Sequence, residues 1–95
     1  MTFGTDSDGL LAVNLNNTSN YLERMGLRED SLKTIQEAVA LGRVLVQHDF
    51  QRFTSSLVSS LNNLSNILSS LGQKEAALEV VREAVLLQRE LLTTA

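Results

Sequence analysis

The chain contains the same helical sentence twice. Leu61-Asn62-Asn63-Leu64-Ser65-Asn66-Ile67-Leu68-Ser69-Ser70-Leu71-Gly72 has a counterpart in Leu15-Asn16-Asn17-Thr18-Ser19-Asn20-Tyr21-Leu22-Glu23-Arg24-Met25-Gly26. The offset, about 46 residues, persists past the glycine. Glu29, Leu32, Glu37, Ala38, Val39, Leu41, Arg43 and Leu45 recur as Glu75, Leu78, Glu83, Ala84, Val85, Leu87, Arg89 and Leu91. Self-similarity at a period of tens of residues implies stacked supersecondary units, each burying its apolar face against the next. The repeat therefore narrows the fold before any single residue does.

Composition fits helices and narrows the function classes. A chain of 95 residues supports one domain with a modest core. Proline is absent, and Leu, Ala, Glu and Gln favour helix. A net charge of −3 argues against nucleic acid, whose phosphates need a basic surface. Without cysteine there are no disulfides and no thiolate metal sites, and no cofactor is expected. No apolar run approaches the roughly 18 residues of a membrane span. The polar, acidic start from Met1 to Gly9 does not read as a signal peptide, so a cytoplasmic location is expected by elimination.

Taken in order, the chain predicts four helices, over about 8–25, 28–47, 54–71 and 74–93. Asp6, Ser7 or Asp8 is expected to cap the first. Leu11, Leu15, Thr18, Leu22 and Met25 alternate at fours and threes, so they share one helical face. Gly26 should end that helix in the left-handed region. Glu29 and Asp30 then open the second helix, where the helix dipole favours negative charge. Leu32, Ile35, Val39 and Val46 form one stripe on it; Ser31, Ile35, Ala38, Leu41 and Leu45 form another. Two stripes imply neighbours on two sides. The short link through Leu27 makes the first pair an antiparallel hairpin.

His48 to Ser56 lacks glycine and proline. A short loop is expected there, with Asp49 or Thr54-Ser55-Ser56 supplying cap chemistry and Phe50 or Phe53 tucked under the junction. A continuous helix is the alternative, and it would open the hairpins to exchange. Leu57, Leu61, Leu64, Leu68 and Leu71 repeat the first helix's stripe. The fourth helix is apolar on most sides, which calls for burial on most sides.

The pattern Leu-Asn-Asn-Leu-Ser-Asn-x-Leu-x-x-Leu-Gly-x-x-Glu-Ala-Ala-Leu, then Glu-Ala-Val, resembles the tetratricopeptide repeat. Within that family it is similar to the long-period variety found in kinesin light chains and in large fungal and bacterial repeat proteins. The resemblance runs from about Leu11 to Leu92. Ser19 and Ser65 match the small residue of the family's helix A, and Gly26 and Gly72 its turn. Ser31 and Ala77, with Ala38 and Ala84, match the small residues of helix B. Departures are a period longer than the usual 34 or so residues, the missing proline after helix B, and Thr18 where its twin is Leu64. HEAT or armadillo arrays fit the period better but lack this Asn-rich core and glycine turn. The implied fold is all-α: an α-solenoid fragment of two antiparallel helix-turn-helix hairpins, with repeats over about 8–49 and 54–95.

The resemblance implies a non-enzymatic scaffold for protein–protein interaction. Its ligand, a peptide or helix, would lie in the concave groove lined by the first and third helices. The groove residues so implied are Asn16, Asn17, Asn20, Glu23 and Arg24, with Ser59, Asn62, Asn63, Asn66, Ser69 and Ser70 from the second repeat. Asparagine amides both donate and accept, which suits an extended peptide backbone. For Asn17 and Asn63 a packing role between helices is an equal alternative; for Asn20 and Asn66 binding is favoured. Arg24 is the only cation on that surface, so a carboxylate clamp is not expected.

Other candidates carry less. His48-Asp49 has no nucleophile or second ligand beside it and reads as a solvated loop. Thr54-Ser55-Ser56 reads as a cap before it reads as a phosphorylation site. Glu37/Arg43 and Glu83/Arg89 read as outer-face charges of little energetic weight. Val81, Val85, Leu87, Leu91 and Leu92 are left without a following helix in this sequence. A second function is therefore expected as an alternative: a structural unit that is part of a longer array, or a homo-oligomer pairing through the fourth helix or by hairpin exchange.

Overall fold

The computed structural model describes residues 5–94. Four helices follow in order: α1 (Thr5–Arg24), α2 (Arg28–His48), α3 (Phe50–Ser70) and α4 (Lys74–Thr93). α1 packs on α2 and α3 on α4 as antiparallel hairpins, α2 packs on α3, and α1 touches α3 more lightly. Among the described residues there is no strand.

Both hairpin turns are built by glycine. Gly26 and Gly72 have φ of 79° and 81°, the left-handed region in which a Cβ is strained. The Gly26 N–H donates to the Glu23 carbonyl at 3.0 Å, and the Leu27 N–H reaches back to Leu22 at 2.9 Å. Gly72 to Ser69 and Gln73 to Leu68 repeat this at 3.0 and 2.9 Å. The pair of bonds satisfies carbonyls that a helix end leaves open. Neither Leu27 nor Gln73 caps the next helix with its side chain. Glu29 with Asp30, and Glu75, supply negative charge in those first turns instead.

The junction between hairpins differs from the expected loop. It is one residue, Asp49, held in an extended conformation between α2 and α3. Its N–H bonds Leu45 O at 3.0 Å, closing α2, and its carboxylate accepts from the Arg52 N–H at 3.1 Å, opening α3. Residues 50–56 are therefore helical, neither a loop nor an unbroken continuation. Thr54 does not cap: it is buried, and its hydroxyl donates back to Phe50 O at 2.6 Å. α1 likewise begins earlier than expected, so Asp6 and Asp8 sit in its first turn rather than at a cap. Asp6 pairs with Arg52 of α3.

The main core joins Ile35, Ala38 and Val39 of α2 to Leu57, Leu61, Leu64 and Ile67 of α3 and to Ala77 and Ala84 of α4. A second cluster, Ala12, Leu45 and Phe53, sits under the junction, which identifies Phe53 as the tucked aromatic. Gly42 permits a close α2–α3 approach: a Cβ there would lie 3.0 Å from Leu57 Cδ1. Within each hairpin the helices cross at small residues. In the first, the Ser19 hydroxyl donates to Ser31 O at 3.1 Å and the Ser31 hydroxyl to Ser19 O at 2.8 Å. In the second, Ser65 Oγ donates to Ala77 O at 2.9 Å.

The α1 stripe needs correction. Ala12 and Ser19 are its buried residues, with Leu15 and Leu22 half-buried. Leu11, Thr18 and Met25 are exposed, Met25 by 71%. Their twins Leu57, Leu64 and Leu71 are covered, because α3 lies between other helices and α1 has a neighbour on fewer sides. Periodicity identified a shared face; only the neighbouring helix decides whether it is wet.

Candidate functional site

The surface shared by α1 and α3 holds the sequence-predicted groove residues, and they divide into two groups. Asn16 Nδ2 donates to Ser59 Oγ at 3.3 Å, and Asn63 Nδ2 donates to Asn16 Oδ1 at 2.6 Å. These three side chains tie α1 to α3, so Asn16 and Asn63 spend polar capacity on the helix–helix contact. This is the packing role for Asn63. Asn17, Asn62 and Asn66 are exposed and Asn20 is half-buried, and their amides make no hydrogen bond within the described residues. Ser70 is exposed with its hydroxyl on Asn66 O at 3.1 Å.

Helical periodicity sets Asn16, Asn20 and Glu23 along one edge of α1. One carboxylate oxygen of Glu23 is buried and has no hydrogen-bond partner among the described residues. An unpaired buried acceptor carries a desolvation cost, and this one is closed to solvent. Beside it, Asn17, Asn20, Tyr21 and Arg24 line a shallow hollow of about 120 Å³. The Arg24 guanidinium stands 5.9 Å from the centre of the Tyr21 ring, a cation–π distance that presents both groups together. Tyr21 escaped the sequence reading because nothing in the spacing distinguishes an exposed ring from a core one.

The second candidate surface is the outer side of α4. Val81 is half-buried, while Leu78, Val85 and Leu92 are exposed by 49%, 43% and 74%. Leu87 does not belong to this surface: it packs against the main core. Leu91 is half-buried at the edge. Leu78 takes the place that Leu87 had in the expected set, since 78, 81, 85, 88 and 92 alternate by threes and fours. Leu91 and Leu92, with Ser55, Val58 and Gln88, line a notch of about 240 Å³ at the foot of α4.

Chemistry has few starting points. Among the described residues no three His, Cys, Asp or Glu side chains gather as a metal site would require, and no helix is long and apolar enough to cross a membrane. His48 ends α2, and the neighbouring Asp49 carboxylate is engaged as the α3 cap. Arg43 and Glu83 are more than isolated surface charges. They form a paired contact at 2.6 and 3.0 Å that links α2 to α4 across the two hairpins. Hydrogen bonding to Glu83 raises the Arg43 pKa further, against an opposing effect of partial burial.

Comparison with known proteins adds one finding. Residues 57–92 match the family model described as tetratricopeptide repeat. No curated protein and no solved structure matches the chain significantly. The matched segment contains the Gly72 turn, the Ser65–Ala77 crossing and the buried Ala84, and residues 11–46 repeat its layout at the same offset. Over residues 57–92 the chain is thus a tetratricopeptide repeat, set in an all-α stack of two hairpins.

Proposed function

We propose that this chain is a non-enzymatic protein-interaction module that holds an extended peptide along the surface of α1 and α3. Tetratricopeptide repeats generally mediate contacts between proteins, and the finer assignment rests on this chain's own residues. The carrying observation is the set of unengaged amides. Asparagine inside a helix costs roughly half a kcal/mol against alanine. Asn16 and Asn63 recover that cost through their bond; Asn17, Asn20, Asn62 and Asn66 have no intramolecular return. Amides standing free on one surface can donate to and accept from a peptide backbone. Panning a displayed peptide library against the intact chain tests this. Selected peptides should lose affinity for Asn20→Ala/Asn66→Ala while the melting temperature stays unchanged. Peptides that bind the double variant equally well would place the ligand elsewhere.

A second reading concerns α4. Its apolar stripe Leu78, Val81, Val85, Leu92 reproduces the stripe Leu32, Ile35, Val39, Val46 that α2 presents beneath α3. A face copied from one that receives a helix supports self-association of the chain. Mass by light scattering as a function of concentration checks it.

A further inference from the structure

We infer that copies of this chain stack head to tail, α1 of a second copy lying over α4 of the first, through a joint that repeats the contact between the two hairpins. The inference rests on reading α4 as a self-association surface and names the face that docks on it.

Inside the chain, polar side chains tie the first hairpin to the second: Asp6 to Arg52, Asn16 to Asn63 and Ser59, and Arg43 to Glu83. A second copy stacked in the same way moves each contact forward by the repeat offset. The first-hairpin member gives way to its twin in the second hairpin, and the second-hairpin member to its twin in the next copy's first hairpin. Arg43 to Glu83 becomes Arg89 to Glu37 of the second copy, again opposite charges. Asp6 to Arg52 becomes Arg52 to Asp6 of the second copy, and the five donors of a guanidinium can serve both carboxylates. Asn16 to Asn63 becomes Asn62 to Asn17 of the second copy, an amide pair once more. Asn16 to Ser59 is lost, because the twin of Ser59 is Val13. Arg89, Glu37, Asn17 and Asn62 are exposed, and none has an ion pair or side-chain hydrogen bond within the described residues. Charge and amide complementarity thus survive at three of the transposed contacts.

The apolar faces agree with the polar contacts. On α3, Phe53, Leu57, Ser60, Leu64 and Ile67 run down one buried face. Their twins on α1 are Ser7, Leu11, Asn14, Thr18 and Tyr21, all exposed, Leu11 by 46% and Tyr21 by 63%. On α4, Leu78, Val85 and Leu92 are exposed, whereas their twins Leu32, Val39 and Val46 pack against the core. Gly42 against Leu57, and Val46 beside Phe53, set an antiparallel register between α2 and α3. Carried forward, that register puts Leu78 against Tyr21 of the second copy; their twins Leu32 and Ile67 share the main core. The joint is looser than its internal counterpart. Gln88 stands where Gly42 lets Leu57 approach, and Ser7 where Phe53 fills its notch, so the second copy is held farther off and association is reversible. Thr94 of the first copy comes near Thr5 of the second, where the chain itself has Asp49 alone between two helices, so the two chain ends must diverge. Asn17 and Tyr21 then belong to the joint, and Asn20 and Asn66 are left to the peptide.

The test uses the full chain and charge reversals at exposed positions, with helical dichroism as the folding check. Light scattering over a concentration series should give the wild type a mass that rises past twice 10.4 kDa, because a head-to-tail contact does not stop at a pair. Arg89→Glu and Glu37→Arg should each weaken association by roughly three- to thirtyfold, since a like-charge contact replaces an ion pair. An equal mixture of the two variants should recover wild-type association. In it each altered end meets the other variant's altered end, and each unaltered end the other's unaltered end, always with opposite charge. Glu90→Arg makes the same change of net charge as Glu37→Arg but should leave association unchanged, because its twin Val44 stays 42% exposed although the internal contact is formed. A wild-type mass fixed at 10.4 kDa over all concentrations overturns both this inference and the self-association reading. A mass that levels off at twice that value leaves self-association standing and overturns the head-to-tail joint. Unchanged association in either single reversal, loss without recovery in the mixture, or equal loss in Glu90→Arg overturns the Arg89–Glu37 contact and the register built on it.

Discussion

Replacing Leu64 by alanine removes a leucine that is 7% exposed and sits in the main core beside residues of α2, α3 and α4. Deleting such a side chain costs about 2–5 kcal/mol, the lost transfer energy plus the cavity left behind. A domain of this size holds about 5–14 kcal/mol in all, at 0.05–0.15 kcal/mol per residue. The change therefore removes a large share of the total, and at roughly 4–8 °C per kcal/mol it should lower the melting temperature by at least about 8 °C. The control lies inside the molecule. Thr18 is the twin of Leu64, but it is exposed. Thr18→Leu restores the repeat's leucine without a helix to cover it, so its effect should stay within about 0.5 kcal/mol. Urea unfolding followed by far-ultraviolet dichroism measures both, at one fixed protein concentration because any dimer adds concentration-dependent stability. A Leu64→Ala cost below about 1 kcal/mol, or a Thr18→Leu gain above it, would refute the assignment of covered and open faces.

Gly26→Ala and Gly72→Ala should each destabilise by about 1 kcal/mol, since both positions need a left-handed φ although neither lacks space for a Cβ; equilibrium unfolding reads this. Ser31→Ala should cost no more than about 1.5 kcal/mol in the same assay, because the second hairpin already crosses at Ala77 with a single serine bond. Ser31→Val, which forces the crossing apart, should cost more.

The hairpins were legible because their signals are local. Gly26 and Gly72 answer a backbone requirement that few other residues meet, and their spacing carries the repeat with it. The Leu57–Leu71 stripe was legible because its face is covered. The same pattern misled in α1, where Leu11 and Met25 lie on a face without a neighbour: sequence periodicity carries direction and not what lies there. The α2–α3 junction was missed for a different reason. One aspartate serves as the end of one helix and the cap of the next, and no glycine or proline announces it. Asn16–Asn63 and Arg43–Glu83 depend on how helices from different repeats are juxtaposed. Each residue looks like a surface group in its own helix, and the pairing exists only after the stack forms.

The twin positions that differ say how the molecule divides its work. Inner positions keep what packing needs: Gly42 for the approach of Leu57, Phe53 for the first notch, Leu64 for the core. Their outer twins, Gln88, Ser7 and Thr18, have lost those demands. Yet both outer faces keep apolar residues: Leu11 and Met25 stand exposed on α1 beside Asn14 and Thr18, and Leu78, Val85 and Leu92 on α4. Exposed leucine and valine offer little to an isolated helix, and each forgoes roughly 1.5–3 kcal/mol of burial when left in water.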